Sequence, residues 1–388
     1  MNNPKKSNPP EKPSNSILII AGESSGEKYG ANLVKEFKKI DHSSSFFGIG
    51  GNQMKNEGVE LLFTLSDVSL VGLFEVLTQL LRIKHIFNTI IKEVKKRKPS
   101  AAVLIDFPDF NLRIAKKLNQ LKIPVLYYIS PTIWAWREGR IKQIKKYINQ
   151  MLLIFPFEEE IYQKYKIKAK FIGHPLLERI KIKLARDEFL KKYNLSSDKK
   201  IITLMPGSRE SEVKYHLPVV MEAVKKISSK LESQFLLIKA ENLDKKLIEK
   251  HIDPQVKIIT EDSYETMANS DLIIASCGTA NLEAALLEKP LITFYRVSPL
   301  SYRLGINLVK INTYSIVNIL AGKKIIPELI QKNFTTENIY SESMRILNSP
   351  DIAEGMKKEF KRIKKMLGEK GASKKAALAL KEMLAEKE

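Results

Sequence analysis

The chain has 388 residues, 44% of them hydrophobic, and 65 Lys and Arg residues against 44 Asp and Glu residues give it a net charge of +21. The length predicts two or three domains, and the hydrophobic content excludes a largely disordered chain. The single cysteine excludes an intramolecular disulfide, and no apolar run approaches the roughly 20 residues that cross a bilayer.

The positive charge leaves three interpretations open. Lysines spread over solvated helices would explain it without a partner. Attraction to an anionic membrane surface or to phosphorylated substrates would also explain it. Nucleic-acid binding is the third, although no recognisable nucleic-acid-binding motif accompanies the charge.

The N-terminal 15 residues are polar and rich in Pro, Asn and Lys. They have no apolar segment of the kind that a secretory signal contains. We expect residues 1–15 to be a disordered leader in front of the first domain.

A first α/β domain is predicted over residues 16–178. Strand Ile17–Ala21 runs into a glycine-marked turn with Glu23 and Ser24, and a helix follows, whose free N–H groups suit phosphate. The further strands are Phe46–Ile49, Ala101–Ile105, Val125–Ile129 and Met151–Phe155, and the helices between them include Ile86–Arg97, Asn111–Leu121 and Gly139–Tyr147. Such continuous apolar strands predict a parallel sheet covered on both faces.

A separate helix is predicted over Ser69–His85. Its apolar residues share one face at helical spacing: Leu70, Leu73, Phe74, Leu77, Leu80 and Leu81. Valines widen this apolar surface, and basic residues follow at its end. The pattern fits a core helix, and it also fits a helix that lies in a membrane interface.

Two aspartates follow the strand Ala101–Ile105. Carboxylates just beyond the carboxyl end of a parallel strand face the ligand crevice of such a sheet. Asp106 is the first such position, and Asp109 is predicted to cap the next helix. We therefore expect Asp106 to be the reactive group and Asp109 to be structural.

Two more groups of side chains follow strands. Both tryptophans, Trp134 and Trp136, come after Val125–Ile129 and predict either a lid on the sheet or a platform for sugar stacking. His174 places a titratable imidazole near the domain boundary.

A second α/β domain is predicted over residues 179–345. Strand Ile201–Met205 ends at Pro206-Gly207-Ser208-Arg209, where Gly207 allows close approach and Arg209 offers a planar guanidinium to phosphate oxygens. An ordinary turn with a surface arginine is the alternative. The later strands are Phe235–Lys239, Val256–Ile259, Leu272–Ala275 and Leu291–Tyr295, with helices Leu217–Leu231, Tyr264–Ala268 and Ala280–Leu287.

The turn after Leu272–Ala275 is a second candidate phosphate site. Gly278 and Thr279 open the next helix, and Glu283 lies one turn into it. Glu283 suits the hydroxyls of a ribose, and it also suits the helix dipole without any ligand.

Other chemistries find little support in the sequence. The five histidines show no metal-ligand spacing, and the Gly-x-Gly-x-x-Gly pattern of nicotinamide-binding proteins is missing.

Residues 346–388 are predicted to form a basic helical tail that packs on the N-terminal domain or on a partner subunit. The predicted fold class is α/β, with two Rossmann-like doubly wound domains that face each other across a cleft.

Taken in order, these motifs resemble the lipid-A-disaccharide synthase family over roughly residues 17 to 340. The segments that carry the resemblance are Ala21–Glu27, Gly48–Gly51, Val71–Leu77, Ile105–Asn111, Tyr128–Pro131 with Trp134–Arg137, Phe171–Pro175, Pro206–Arg209, Ser276–Thr279 with Leu282–Glu283, and Asn318–Gly322. Glu27 stands where the family usually has Asp, and Cys277 interrupts a more usual Ser-Gly-Thr.

The resemblance implies a GT-B glycosyltransferase that needs no metal or cofactor. Its implied reaction joins UDP-2,3-diacylglucosamine to 2,3-diacylglucosamine 1-phosphate, forms a β(1→6) disaccharide and releases UDP. Asp106 then matches the proposed base, with His174 as a second choice, and Arg209 and Asn318 match residues important for activity. We expect Gly207, Ser208, Gly278 and Thr279 to hold the diphosphate and Glu283 to bind the ribose, with Glu23, Ser24 and Trp136 as acceptor candidates.

Acylated substrates imply an enzyme that works on the inner face of the inner membrane. The interfacial interpretation of Ser69–His85 is then favoured, with Phe74, Val76, Leu77 and Leu80 as its membrane-facing side. Part of the positive charge would face anionic lipid, no nucleic-acid partner is expected, and a homodimer is possible. The rival hypotheses are a UDP-sugar epimerase of the same architecture and a basic membrane- or nucleic-acid-binding protein.

Overall fold

The computed structural model describes residues 15–68, 76–134, 138–241, 243–298 and 313–386, without the side chains of residues 76–80. The chain divides into two compact units. Unit 1 contains Met1–Pro175 and Glu369–Glu388, and unit 2 contains Leu176–Gly368. The predicted leader lies outside the described residues, apart from Asn15.

Unit 1 alternates strands and helices along the chain. Its elements before Pro175 are β1 (Ser16–Ala21), α1 (Ser24–Lys38), β2 (Ser45–Gly50), α2 (Asn52–Asn56), β3 (Val59–Thr64), α3 (Leu65–Val68), α4 (Val76–Arg97), β4 (Ala101–Ile105), α5 (Pro108–Gln120), β5 (Val125–Tyr128), α6 (Arg140–Tyr147), β6 (Gln150–Leu153), α7 (Glu158–Lys164) and β7 (Ala169–Phe171).

The described strands of unit 1 form a seven-stranded sheet in the order β3-β2-β1-β4-β5-β6-β7. Neighbouring strands pair in parallel, and Ala21 at the end of β1 aligns with Ile105 at the end of β4. The strand order reverses between β1 and β4, which is the position where doubly wound sheets bind ligands. The turn with Glu23 and the turn with Asp106 therefore lie side by side.

Unit 2 repeats the same alternation. Its elements are α8 (Leu176–Arg179), α9 (Arg186–Lys192), β8 (Lys200–Met205), α10 (Glu210–Ser228), β9 (Ser233–Ile238), α11 (Lys245–Glu249), β10 (Val256–Ile259), α12 (Ser263–Ala268), β11 (Leu272–Ser276), α13 (Thr279–Leu286), β12 (Leu291–Tyr295), α14 (Ile316–Ala321), β13 (Glu328–Ile330), α15 (Thr336–Leu347) and α16 (Pro350–Met366).

The described strands of unit 2 form a six-stranded parallel sheet in the order β10-β9-β8-β11-β12-β13. Its order reverses between β8 and β11, and Met205 aligns with Ala275 across that pair. The two turns that the sequence predicted as phosphate sites, 206–209 and 277–279, are therefore neighbours at the switch point of the sheet.

The last helix, α17 (Ala372–Ala385), returns to unit 1 and packs on α1, β4 and β5. Its buried residues join the core under the sheet: Ala372, Ala376, Ala377, Ala379, Leu380, Met383 and Leu384. The sequence predicted residues 346–388 as one tail, whereas the structure divides them. Helix α16 belongs to unit 2, where its apolar face packs against α13, α14 and α15.

Helix α4 differs from the prediction. The sequence predicted two helices, Ser69–His85 and Ile86–Arg97, but one helix continues from Val76 to Arg97. No Gly or Pro interrupts this stretch, and Ile86, Ile90 and Val94 form one continuous buried stripe. Residues 69–75 lie outside the described part of the chain.

The sequence did not predict β3 or β13, and it predicted a strand before Gly173, which is β7, without giving its bounds. Strands β3 and β7 are the edge strands of the sheet of unit 1, and β13 is an edge strand in unit 2. Their side chains are mostly half-buried or exposed, so they lack the apolar runs of the central strands. Asp109 was also wrongly predicted as a helix cap, since α5 begins at Pro108 and Phe107 is its N-cap.

Candidate active site

The turn after β4 holds Asp106 in a strained conformation. Asp106 and Phe107 have φ angles of 45° and 47°, a region that non-glycine residues seldom occupy. The carbonyl oxygen of Asp106 accepts from the Tyr127 hydroxyl at 2.6 Å and from Asn111 Nδ2 at 2.8 Å. The Asp106 N–H donates to the Tyr128 carbonyl at 3.0 Å. These three bonds hold the main chain of the turn in place.

The turn after β1 touches this strained turn directly. A Cβ atom at Gly22 would lie 2.3 Å from the Phe107 ring, so glycine is required for the two turns to meet. Glu23 is the N-cap of α1, and Ser24 begins that helix, both with exposed side chains. The negative charge of Glu23 contributes to raising the pKa of Asp106. Glu23 and Asp106 therefore lie close to each other at the same edge of the sheet.

Asp106 has the electrostatics of a base that works near neutral pH. Burial raises the pKa of its carboxyl group from the usual 3.8 to about 7, and the charge of Glu23 adds to this effect. The Phe107 N–H and the Arg140 guanidinium oppose the rise. A carboxyl group with such a pKa holds a proton more firmly than an exposed aspartate does.

A second buried carboxyl group, Glu158, was not predicted from the sequence. It is the first residue of α7, and its Oε1 accepts from Trp134 Nε1 at 3.3 Å while its Oε2 accepts from the Phe155 N–H at 3.4 Å. Burial raises its pKa to about 8, and Asp106 contributes to the rise. Glu158 begins a run of three glutamates that resembles a solvated helix start, so its place after β6 is the only signal that the sequence offers.

The remaining candidates in unit 1 divide between core and undescribed positions. Trp136 lies outside the described residues, whereas Trp134 contacts Glu158 and packs edge-on against Phe157. His174 is buried, and its ring centroid lies 5.3 Å from that of Phe155. His174 therefore belongs to a packed aromatic cluster rather than to an exposed surface.

The candidate phosphate loop of unit 2, residues 206–209, is contacted by an acidic side chain, Glu212. The N–H groups of Ser208 and Arg209 donate to Glu212 Oε2 at 3.1 and 3.3 Å, and Arg209 Nη1 lies 3.3 Å from Glu212 Oε1. Gly207 has a φ of 132°, and a Cβ there would lie 2.6 Å from Glu212 Oε2. Glu212 thus occupies the amides predicted to bind phosphate, while the Arg209 side chain stays 63% exposed. A Glu three residues after a helix cap was the signal for this contact.

His216 connects this loop to the end of β12. Its Nδ1 lies 2.6 Å from the Pro206 carbonyl, and its Nε2 lies 3.0 Å from both the N–H and the carbonyl oxygen of Arg296. A carbonyl only accepts, so Nδ1 carries a hydrogen. Burial lowers the pKa of His216, and its ring packs edge-on against Phe294 and Phe334. The sequence showed His216 only as a histidine without ligand spacing.

The other turn of unit 2 is open to solvent at the start of α13. Gly278 and Thr279 are exposed there. Glu283 accepts a hydrogen bond from the Tyr264 hydroxyl at 3.1 Å. Burial raises the pKa of Cys277 to about 12, which keeps its thiol protonated. The exposed N-terminus of α13 is therefore accessible to an anion, and the cysteine just before it stays in the thiol form.

Asn318 is buried, and both halves of its side-chain amide are used within unit 2. Its Oδ1 accepts from the N–H groups of Ile325 and Ile326 at 2.8 and 3.0 Å. Its Nδ2 donates to the Ile326 carbonyl at 3.0 Å and to Glu328 Oε1 at 2.9 Å. Glu328 Oε1 also accepts the Ser315 N–H at 2.9 Å. The amide hydrogen-bonding capacity of Asn318 is thus spent on holding the chain after α14.

The candidate membrane surface is described only in part. Phe74 lies outside the described residues, and the side chains of Val76, Leu77 and Leu80 are likewise not described. The next residue, Leu81, is 68% exposed. Among the described helices, none is long and apolar enough to span a bilayer.

Comparison with known proteins identifies the family. The family model described as lipid-A-disaccharide synthetase matches residues 17–383. The lipid-A-disaccharide synthase of Solibacter usitatus is 37% identical over 370 residues, which are 95% of this chain and 97% of that protein. That of Syntrophus aciditrophicus is 40% identical over 367 residues, which are 93% and 96% of the two chains.

Solved structures share the fold at low sequence identity. UDP-GlcNAc 2-epimerase from Neisseria meningitidis, bound to UDP-GlcNAc, matches with a TM-score of 0.64 and 13% identity over 96% of this chain and all of that one. MurG from Acinetobacter baumannii matches with a TM-score of 0.57 and 11% identity over 95% and 99%. These likenesses concern the fold alone, so they do not favour the epimerase hypothesis over the synthase relatives.

The predicted fold class of two doubly wound α/β domains is confirmed by the two parallel sheets and by these GT-B neighbours. The resemblance drawn from the ordered motifs is confirmed by the family model and by relatives that match nearly the whole chain. The alternative of a nucleic-acid-binding protein is not favoured. The chain belongs to the lipid-A-disaccharide synthetase family and is a glycosyltransferase of two doubly wound α/β units.

Proposed function

We propose that the chain transfers 2,3-diacylglucosamine from UDP to the 6-hydroxyl of 2,3-diacylglucosamine 1-phosphate with inversion at the anomeric carbon. The products are the β(1→6) disaccharide 1-phosphate and UDP. The observation that carries this proposal is Asp106, a carboxyl group with a pKa of about 7 at the switch point of unit 1. Family membership supplies the substrate class.

Asp106 acts as the general base for the acceptor. The acceptor oxygen attacks the anomeric carbon as the bond from that carbon to UDP breaks, and the hydroxyl proton passes to the Asp106 carboxylate. The bonds from Tyr127 and Asn111 hold the Asp106 main chain, so the carboxyl group needs little reorganisation during the reaction. Burial keeps the resulting acid stable until it loses the proton to water.

Unit 2 stabilises the departing UDP. The diphosphate gains negative charge as it leaves, and the exposed Arg209 guanidinium offers a planar pair of donors to its oxygens. The N-terminus of α13 adds its amides at Gly278 and Thr279, and Glu283 accepts from the ribose. Because Glu212 already binds the amides of Ser208 and Arg209, the diphosphate relies on the Arg209 side chain rather than on those amides.

The membrane surface is the place of the reaction. Both substrates carry acyl chains, so the site has to work at the inner face of the inner membrane. The segment Ser69–His85 carries the apolar contact through Phe74, Val76, Leu77 and Leu80, and exposed Leu81 extends it. The net charge of +21 favours approach to anionic lipid.

Reconstitution tests the reaction. The full-length enzyme is incubated in detergent micelles with both acylated monosaccharides, and disaccharide and UDP are followed by mass spectrometry. We expect both products in equal amounts, and we expect Asp106→Asn to lose at least about a hundredfold in turnover because it removes the base. Exposed Asp198→Asn is the matched control. Conversion of UDP-GlcNAc to an isomeric UDP-sugar without an acceptor would support an epimerase instead, and near-normal turnover of Asp106→Asn would exclude Asp106 as the base.

A vesicle assay tests the membrane contact. Binding of the full-length protein to vesicles rich in phosphatidylglycerol is compared with that of the double variant Phe74→Glu and Leu77→Glu. We expect sedimentation with vesicles to be lost, because two charges enter the apolar interface. The exposed pair Leu121→Glu and Leu378→Glu changes the net charge equally and should sediment like the unmodified protein. Equal sedimentation of both variants would contradict the assignment of this surface.

A further inference from the structure

A cavity of about 360 Å³ opens on unit 1 between the beginnings of α5 and α6. It starts two residues after Asp106, at the same carboxyl edge of the sheet. Its lining consists of Pro108, Asp109, Leu112, Arg113, Gly139, Arg140 and Gln143. Neither the reaction chemistry nor the UDP site uses this cavity.

The lining of the cavity is cationic. Arg140 is only 8% exposed, and its Nη2 lies 2.6 Å from Asp109 Oδ1. Arg113 supplies a second guanidinium on the exposed side of α5, and it forms no ion pair within the described part of the chain. Two arginines face one carboxylate, so the lining carries an excess positive charge. Arginine donors in such an arrangement match the oxygens of a phosphate group.

The two helices add to this charge. Helix α5 has 13 residues and helix α6 has eight, and both start at the cavity wall. The N-terminal end of a helix carries a partial positive charge, which falls off within its first turn. The cavity therefore combines buried and exposed guanidinium groups with two favourable helix ends, and Gln143 adds an uncharged amide.

We infer that this cavity binds the phosphate monoester of the acceptor sugar, an inference that rests on the proposed function. The acceptor carries its phosphate on carbon 1 and its reactive hydroxyl on carbon 6, which is attached to carbon 5, and carbons 1 and 5 flank the ring oxygen. A phosphate held between Arg113 and Arg140 would therefore keep the 6-hydroxyl within one sugar ring of the cavity, beside the strained turn.

Electrostatic proximity supports this arrangement. The Arg140 guanidinium contributes to lowering the pKa of Asp106, so its charge lies within interaction range of the proposed base. The site also explains how two similar acylated sugars are told apart. The acceptor presents a phosphate monoester with two negative charges. Each phosphate of the donor is linked on both sides and carries one negative charge, so only the monoester of the acceptor fits a small cationic pocket.

Binding of glucosamine 1-phosphate to the full-length protein tests the inference without acyl chains. Isothermal titration compares the unmodified protein with Arg113→Gln and Arg140→Gln. Loss of one charge-assisted pair should weaken binding about tenfold in each variant, with UDP affinity unchanged. Arg113 is exposed, so its variant is expected to fold normally, and Arg113→Lys should retain part of the affinity because it keeps the charge.

Lys142→Gln is the matched control. It removes the same charge from α6 at an exposed position that does not line the cavity, and we expect glucosamine 1-phosphate to bind it normally. Equal weakening by Lys142→Gln and Arg113→Gln would overturn the inference, since it would indicate a diffuse charge effect. Glucosamine without phosphate should bind all forms equally weakly.

Kinetics separate this inference from the proposed function. In the disaccharide assay, Arg113→Gln should raise the acceptor KM about tenfold and leave the donor KM unchanged. Disaccharide formation with an unchanged acceptor KM would overturn the phosphate site and leave the reaction standing. If no disaccharide forms, although Arg113→Gln weakens glucosamine 1-phosphate binding, the reaction fails and the site stands. If Arg113→Gln weakens only vesicle binding, the cavity recognises lipid headgroups and the inference is overturned.

Discussion

Asp106 combines a strained backbone with a carboxyl group of raised pKa, and both features have measurable consequences. The strain persists because Tyr127, Asn111 and Tyr128 bind its main chain, and burial raises the pKa of the carboxyl group to about 7, so the group titrates within the neutral range. A base must be deprotonated to accept a proton, so the reaction rate depends on how much of Asp106 is ionised.

We expect kcat/KM to fall about tenfold per pH unit below pH 7, because the pKa of Asp106 is about 7. Glu23→Gln removes a negative charge that raises this pKa, so its acid limb should move to lower pH. Initial rates over a pH series check both points, with exposed Glu232→Gln as the matched control. An acid limb that stays in place in Glu23→Gln would contradict the proposed coupling.

The raised pKa of Asp106 also predicts that the stability of the folded chain decreases with rising pH, whereas the activity increases. The folded chain binds a proton at Asp106 more tightly than the unfolded chain does, so stability decreases as the pH rises from about 4 to about 7. Asp106→Asn removes this cost and should stabilise unit 1 by about 1 to 4 kcal/mol above pH 7, with little gain near pH 4. Melting temperatures at the two pH values check this, and a gain that does not grow with pH would be evidence against the raised pKa.

Sequence reasoning found Asp106 but not the residues that define its surroundings. A carboxylate after a buried parallel strand is visible in one short segment, because strand ends share an edge of the sheet. Glu158 and His216 gain their roles from burial and from partners up to 80 residues away. Asn318 shows the converse, since its motif matched a family position but the contacts that use up its amide only emerge in the fold.

At the scale of elements, the central strands follow directly from their apolar runs. Strands β1, β4, β8 and β11 agree with prediction within a residue or two, because burial on both faces leaves few polar positions. Edge strands are half-covered, so their composition resembles that of loops. The conformation of the candidate phosphate loop after β8 was not predictable from the strand pattern, because side chains outside the strand hold the loop in place.

His216 is predicted to position this loop for UDP. Its ring joins the Pro206 carbonyl to the main chain of Arg296, and Arg209 follows three residues after Pro206. His216→Leu keeps the apolar volume and removes both bonds, so UDP affinity should fall about tenfold. Titration with UDP checks this, and exposed His251→Leu is the same change away from the loop.

The readout for His216 distinguishes positioning from general packing. His216→Leu should retain the melting temperature of the protein more closely than it retains UDP affinity, because the ring sits among Phe294 and Phe334 and leucine fills apolar space there. If UDP affinity is retained while the melting temperature falls, His216 is a packing residue and the loop is held by Glu212 alone.

At the scale of the whole molecule, the chain leaves unit 1, forms unit 2 and then returns to complete unit 1. The C-terminal helix α17 belongs to unit 1, although more than 190 residues of unit 2 separate it from the rest of that unit. Its partners on α1, β4 and β5 lie far away in sequence, so no local pattern could identify them. The sequence predicted a helical tail, and only the fold shows which part of the tail packs on which sheet.

Two leucines of α17 allow a matched test of this packing. Leu380 is fully buried in the core of unit 1, whereas Leu378 is 42% exposed on the same helix. Leu380→Ala should destabilise unit 1 by about 2 to 5 kcal/mol, because it leaves a cavity under the sheet, and Leu378→Ala should cost less than about 1 kcal/mol. Urea unfolding followed by calorimetry or fluorescence measures the difference.

UDP binding makes the same pair of variants informative about the two units. The residues proposed to hold UDP all lie between Leu176 and Gly368, so Leu380→Ala should leave UDP affinity unchanged under conditions in which disaccharide formation has already declined. Asp106 follows β4, and α17 packs on β4, so destabilising the core of unit 1 should disturb the proposed base before it disturbs the UDP site. Parallel loss of UDP affinity in Leu380→Ala, with none in Leu378→Ala, would show that the stability of unit 2 depends on the core of unit 1.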